Sequence, residues 1–370
     1  MIRRIIPFIK RELVFCLALL LAILSAFFVP PSREYVSYID FRVLGLLWCL
    51  MTVVAGLRSC GVFDALSAAL LHRNVSRGRM LSVILVMLPF FASMAVTNDV
   101  ALLTFVPFTI GLLSSAKCEK VIPPMLVLQT LAANLGSMAT PVGNPQNLYL
   151  YGAYSMTASE FFSAVLPFAG VAFVLLTLCA LPLLPESFPV AHLPPVPAEK
   201  KKLLFFTVLF ALCLLSVFRF LAWQWLLAAV FLSVLLFDRR LIAAADYPLI
   251  LTFICFFIFS GNLGKIDAVN AALRAWMGKN AFLTAVLASQ VISNVPAAVL
   301  LSGFTDAGTA LLLGTDIGGL GTPVASLASL ITLKFYLHTP NRRAGRFLAV
   351  FLGANAAFLA IFLAIYALLN

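Results

Sequence analysis

Two short polar runs sit inside apolar sequence, and each has a twin. Thr97-Asn98-Asp99 is matched by Ser293-Asn294, and Thr140-Pro141-Val142-Gly143-Asn144 by Gly321-Thr322-Pro323-Val324. Asn, Ser and Thr are short, neutral groups that both donate and accept hydrogen bonds. Asp99 and Asp316 are the two carboxylates placed deep in the apolar sequence. A charged Asp at a bilayer centre costs roughly 3 kcal/mol on insertion scales. Pro beside Thr, with Gly nearby, breaks a helix. A helix broken inside a bilayer shows unpaired N–H groups at one end and unpaired C=O groups at the other. The N–H ends favour anions and the C=O ends favour cations such as Na⁺. The chemistry in prospect is binding of a small solute and a cation, with no bond made or broken.

The twin runs keep their order along the chain. Gly61-Val62-Phe63-Asp64 also resembles Gly264-Lys265-Ile266-Asp267. The offsets shorten steadily, as 267 − 64 = 203, 294 − 98 = 196 and 322 − 140 = 182. Three matches in register mark an internal duplication. Asp64 and Asp267 read as N-caps of interfacial helices.

Composition sets the solvent. The chain is 63% hydrophobic and 11% charged, with a mean hydropathy of +1.07. A soluble domain carries about a quarter charged residues, so this is an integral membrane protein. Its apolar runs suit spanning helices and not barrel strands. The net charge of +11 sits in short loops, where it sets topology, and does not point to nucleic acid. Seven cysteines lack a C-x-x-C pair, which gives no disulfide framework or metal site. No H-E-x-x-H and no G-x-x-x-x-G-K-[ST] occurs, so neither an enzyme nor a chain with its own ATPase is expected. A separate ATPase subunit is permitted but not implied.

The elements that must position the twin runs follow from hydropathy. A basic N-terminus (1–12) precedes a first repeat over 13–184. That repeat holds spans at 13–29 and 41–58, an amphipathic segment at 61–71 and a hairpin at 79–113. A helix interrupted over 137–147 and a span at 161–184 complete it. A Pro-rich linker (185–202) and an extra span (203–219) lead to a second repeat over 220–370. The second repeat holds spans at 222–237 and 248–260, an amphipathic segment at 265–277 and a hairpin at 281–304. A helix from 306, broken over Gly318 to Pro323, and a last span at 344–368 follow. The run after Leu13 reads as an uncleaved span. The fold expected is all-α and polytopic, with about nine crossings, two of them broken, and two re-entrant hairpins. The extra span inverts the second repeat. Of 25 Lys and Arg, only Arg33, Arg42, Arg219, Lys265, Arg274 and Lys279 fall in outer segments, leaving 19 inside. That bias puts the N-terminus in the cytoplasm and the C-terminus outside. Inverted repeats with broken helices are the architecture of secondary transporters.

The motifs T-N-D with N-L-G-S-x-A-T-P-V-G-N-P-Q-N, and S-N-V-P with G-T-D-I-G-G-x-G-T-P, resemble the ion transporter superfamily over nearly the whole chain. The likeness is nearest to the arsenite permease and NhaD-type sodium/proton antiporter branch. Citrate and dicarboxylate symporters with S-N-T tips are more distant. The resemblance implies a secondary active transporter of a small anion or oxyacid, arsenite-like or carboxylate, coupled to Na⁺ or H⁺ by alternating access. A Na⁺/H⁺ antiporter without organic substrate is the alternative, and a channel the reading from another class. Carried over by position, Thr97, Asn98, Thr140, Pro141, Asn144, Ser293, Asn294, Thr322 and Pro323 would bind substrate. Asp99, Asn98, Gly143, Asn294, Asp316 and Gly321 would serve cation coupling. The resemblance also implies a homodimer in a bacterial inner membrane, with no cofactor beyond bound Na⁺. The first tip reads T-N-D and the second carries Val295-Pro296, so both depart from the symporter pattern. No Lys or Arg falls at the tips or breaks, which fits a neutral hydroxylated solute or a cation better than a free citrate trianion.

Overall fold

A computed structural model of the protein describes residues 12–61, 78–186, 199–339 and 342–369. Among the described residues there are helices and turns and no strand. The chain opens with α1 (Leu13–Ala26), α2 (Glu34–Tyr38), α3 (Phe41–Ser59), α4 (Gly78–Val96) and α5 (Asn98–Ser115). It continues through α6 (Ile122–Ser137), α7 (Pro145–Ala153) and α8 (Ala158–Ala180), and α9 (Lys200–Val217) follows. The remainder is α10 (Trp223–Phe237), α11 (Tyr247–Gly264), α12 (Asp267–Ile292), α13 (Asn294–Ser302), α14 (Gly308–Gly318), α15 (Leu327–Leu337) and α16 (Ala344–Leu369). Among the described residues, α3, α4, α5, α8, α11 and α16 are long and apolar enough to cross a membrane. The protein is an all-α polytopic membrane protein.

Local sequence explains several helix starts. Asp40 Oδ1 accepts from Val43 N before α3, and Asp246 Oδ1 from Leu249 N before α11, each at 3.0 Å. Thr157 and Glu160 close a reciprocal capping box before α8. Inside α4, Pro89 has no N–H for the Leu85 carbonyl four residues earlier. Gln129 of α6 supplies that donor, with Nε2 2.8 Å from Leu85 O and 2.7 Å from Thr109 Oγ1. One buried glutamine therefore ties both arms of the α4–α5 hairpin to α6. Close approach is set by Gly136, where a Cβ would lie 2.2 Å from Phe90 O.

The hairpins turn on single residues. Thr97 alone joins α4 to α5, and Ser293 alone joins α12 to α13. The first tip meets the interruption between α6 and α7, where Asn98 N donates to Gly143 O at 3.2 Å. Past that interruption α7 runs on for nine residues, about 13 Å at 1.5 Å per residue. The hairpin therefore stops well short of the far end of the helix it leans on. Segments distant in sequence also meet. Gly78 N donates to Glu186 O at 2.9 Å, Arg219 reaches Tyr151 O at 3.2 Å and Ser155 O at 3.3 Å, and Lys265 pairs with Glu34.

Several boundaries differ from expectation. The first span ends at Ala26, not 29. Lys200, Lys201 and Lys202 form the first turn of α9 and are not linker, with Lys202 paired to Glu199 at 2.8 Å. The first interruption narrows to 138–144, because Asn144 caps α7 and Pro145 opens it. The second extends to 326, because Ser326 takes the N-cap position of α15. The expected division between the segment 265–277 and the hairpin arm from 281 is kept, because the backbone of α12 breaks at Asn280 (φ −162°, ψ 92°). Asn280 Oδ1 caps the inner part by accepting from Leu283 N at 2.8 Å. Asp267 is not an N-cap; it lies in the first turn of α12, where its charge favours the helix dipole. The amphipathic segment 61–71, Gly61 apart, and most of the Pro-rich linker lie outside the described residues.

Candidate functional site

The two tips share one backbone geometry. Thr97 has φ 73° and ψ 149°, and Ser293 has φ 74° and ψ 156°. Non-glycine residues rarely adopt this conformation, which costs of order 1–3 kcal/mol and persists only where surroundings enforce it. Equivalent bonds do so in both halves. Asn98 N donates to Gly143 O at 3.2 Å, and Asn294 N to Ala325 O at 3.0 Å. Thr140 Oγ1 donates to Met94 O at 2.5 Å, and Thr322 Oγ1 to Gln290 O at 3.0 Å. Both acceptors lie three residues before their tip, as 97 − 94 = 3 and 293 − 290 = 3. The side-chain oxygen of each tip Asn accepts from the next backbone N–H, at 3.0 Å for Asn98 and 2.9 Å for Asn294.

The interrupted helices also bond across the two halves. Asn144 Nδ2 donates to Asp316 Oδ1 at 3.2 Å, and Ser326 Oγ donates to Asn134 Oδ1 at 3.0 Å. These are the same bond twice, since 326 − 144 = 182 and 316 − 134 = 182. Asn134 Oδ1 also accepts from Asn98 Nδ2 at 3.1 Å, and Asp316 Oδ1 from Gln146 Nε2 at 3.3 Å. Asn144 Oδ1 meanwhile caps α7 by accepting from Asn147 N at 2.9 Å.

A cavity of about 890 Å³ reaches this crossing, walled near it by Thr97, Asp99 and Asn144. Its other charged wall residues are Glu12, Arg58 and Asp246. Beyond its inner end lies a cavity of about 10 Å³ between the tips, where Asn98, Asp99 and Gln146 face Asn294 and Ser326. That volume is close to one water-sized sphere. Four buried polar atoms here have no hydrogen-bond partner: Asp99 Oδ1, Asp316 Oδ2, Asn134 Nδ2 and Asn147 Oδ1. Buried polar atoms are nearly always paired, so their concentration at one crossing points to a place where something binds.

Not every residue singled out from sequence lines a cavity. Asn98, Asp99 and Asn294 face the small one, and Thr97, Asp99 and Asn144 the large one. Thr140, Pro141, Gly143, Ser293, Thr322 and Pro323 line neither and instead shape the tips and interruptions. The Gly143 carbonyl is already engaged by Asn98 N. Gly321 (φ 109°) packs under Gln290, whose Oε1 would lie 2.3 Å from an added Cβ. Asp316 is 4% exposed and sits behind the cavities, held by Asn144 and Gln146. Sequence reading missed Ser326, which the offset of 182 from Asn144 would have found. It also missed Gln290, which has no polar twin because Met94 holds the equivalent position. Among the described residues no group of three or more His, Cys, Asp or Glu could hold a metal ion.

A sequence model of the citrate transporter family matches residues 1–314. The chain belongs to the citrate transporter family. An uncharacterized transporter of Methanocaldococcus jannaschii is 31% identical over 318 residues, covering 86% of this chain and 86% of that protein. Inner membrane protein YbiR of Escherichia coli is 30% identical over 337 residues, covering 89% of this chain and 90% of that protein. A silicon efflux transporter of Oryza sativa is 33% identical over 153 residues, which is 40% of this chain and 30% of that protein. This family member is a membrane transporter and not an enzyme.

Proposed function

We propose that the chain is a secondary active transporter that carries a small oxyacid or anion through a site between the two hairpin tips. The observation that carries this reading is the meeting of Asn98 and Asn294 at a cavity wall that also bears Asp99, whose Oδ1 is buried without a partner. Two inverted repeats and an extra span would give nine crossings, with the N-terminus in the cytoplasm and the C-terminus outside. Arg58 and Asp246, which wall the large cavity, belong to segments the charge count places inside. The cavity would then be the cytoplasmic entrance, and alternating access would close it while opening the far side. A homodimer in a bacterial inner membrane is part of the same proposal.

The charge of the entrance favours a neutral hydroxylated acid. On its described wall Asp99 and Asp246 stand with Arg58, and like charge repels a polyanion. Arsenous acid and silicic acid have the required hydroxyls, and the rice silicon transporter supports this class. Citrate, from the family's description, is the carboxylate to test beside them. The experiment is charge movement by proteoliposomes on a solid-supported membrane, with Na⁺ or pH jumps and a panel of arsenous acid, silicic acid, citrate and succinate. Current that requires one panel member supports solute transport and names its class. Current from Na⁺ and pH jumps alone would replace this reading with a Na⁺/H⁺ antiporter, which the two buried carboxylates favour as the second reading.

A further inference from the structure

Each arm of the first hairpin carries a proline that leaves the carbonyl four residues earlier without its helical donor. In α4 the pair is Pro89 and Leu85, since 89 − 85 = 4, and in α5 it is Pro107 and Leu103, since 107 − 103 = 4. Leu85 O has a fixed replacement donor in Gln129, a fully buried side chain, at 2.8 Å. Leu103 O is served by Arg58 of α3, whose Nη2 donates at 3.4 Å. We propose that Arg58 is a positioning residue of the transport cycle: it straps the first hairpin to α3 while the large cavity is open, and it lets go of the Leu103 carbonyl when that cavity closes. The proposal rests on the transporter reading above and names a bond that alternating access must break and remake.

The cavity of about 890 Å³ is lined by α3 and the segment 241–249, and by the first tip, α5 and the start of α7. Arg58 and Leu103 both stand on its wall. The backbones of α3 and α5 do not pack closely on one another, so the long Arg58 side chain spans a gap that the helices leave open. Arg58 lies in the last turn of α3, where a cation suits the C-terminal end of the helix dipole. The dipole accounts for a charge at that helix end but not for its reach to α5. Asp99 and Asp246 line the same cavity, yet Arg58 forms an ion pair with neither among the described residues. Its hydrogen bond goes to the carbonyl that Pro107 set free.

The two freed carbonyls therefore have donors of different kinds. Gln129 is enclosed, and parting it from Leu85 O would leave a buried acceptor unpaired, which is costly. Arg58 is exposed and Leu103 is half-buried. When these two part beside an open cavity, both groups can take water, and the bond is cheap to release. A strap across an entrance needs that property: it must favour one position of the hairpin without locking it there. The hairpin it holds carries Asn98 and Asp99 at its tip, four to five residues before Leu103, so a shift at Leu103 reaches the proposed solute site within about 8 Å of helix.

The test reads the open state of the purified full chain and needs no solute. Met51 lines the same cavity, and since 58 − 51 = 7 it lies about 10 Å deeper along α3 than Arg58. Met51→Cys is the parent for every variant, and its reaction with N-ethylmaleimide is followed by mass spectrometry of that peptide, which separates it from the native cysteines. Arg58→Gln should slow the reaction about fivefold, the population shift that one net hydrogen bond supports. Arg58→Lys keeps a cationic donor and should react within about twofold of the parent. Pro107→Ala returns an N–H to α5, so Leu103 O closes its own helical bond and the strap has nothing to hold. It should slow the reaction as Arg58→Gln does, and the two together should slow it no further. Equal rates for Arg58→Gln and the parent would overturn the proposal. So would equal slowing by Arg58→Lys and Arg58→Gln, a contrast that decides even if Pro107→Ala does not elute as folded protein. Additive slowing in the double variant would also overturn it, because Arg58 would then act elsewhere than on Leu103 O. Failure of the wild type to move any panel solute in proteoliposomes would refute the transporter reading and leave the labelling result to decide the strap.

Discussion

Gln290 holds the second interruption in place, and replacing it with Met should weaken the fold measurably. Its Nε2 donates to Gly318 O at 2.7 Å and Leu320 O at 2.8 Å, and its Oε1 accepts from Thr322 N at 2.9 Å. Met is the residue at the equivalent position 94, so it fits the backbone and roughly the volume. It makes none of the three bonds. Each net hydrogen bond contributes about 1 kcal/mol, so the loss is about 3 kcal/mol. The bond from Thr322 Oγ1 to Gln290 O survives, because its acceptor is backbone. Thermal unfolding of the purified protein in detergent, followed by a thiol-reactive dye, should show a midpoint lower by roughly 5 °C or more. The seven free cysteines give that dye its signal. A midpoint equal to wild type would show that these bonds do not hold the interruption.

Two further substitutions probe the frame. Ser293→Gly should leave the unfolding midpoint unchanged or raise it, because the φ of 74° carries strain of order 1–3 kcal/mol that Gly does not pay; a lower midpoint would show that the Ser hydroxyl matters more than the strain. Gly136→Ala should reduce the yield of folded protein by size-exclusion chromatography, because its Cβ would lie 2.2 Å from the backbone oxygen of Phe90 and would push α4 off α6; a normal profile would refute that packing.

The sequence shows the parts of this fold that hydropathy and helix-breaking chemistry control. Long Leu- and Phe-rich runs become the spans, and Thr-Pro with Gly becomes each interruption. The polar tips T-N-D and S-N become single-residue turns because each tip Asn binds its own neighbour's N–H and the interruption of its own half. What it hides is pairing at a distance. Gln129 is one glutamine in an apolar helix, and its task depends on Pro89 forty residues earlier leaving Leu85 O without a donor. Gln290 is equally isolated, and its twin is a methionine. The bend at Asn280 was legible, because Gly278-Lys279-Asn280 separates the amphipathic segment ending at 277 from the apolar arm starting at 281. Ser326 and Asn134 were within reach through the constant offset of 182.

The central claim is that the two tips together form the solute site. It is tested most directly by Asn98→Ala and Asn294→Ala, each reconstituted and compared with wild type for the panel member that drives charge movement. Removing one partner from a buried polar site costs about 1–3 kcal/mol, so each variant should lose roughly 5- to 150-fold in transport efficiency, while eluting as folded protein. Loss in both halves is the result predicted. Wild-type transport by either folded variant would contradict a site shared between the tips.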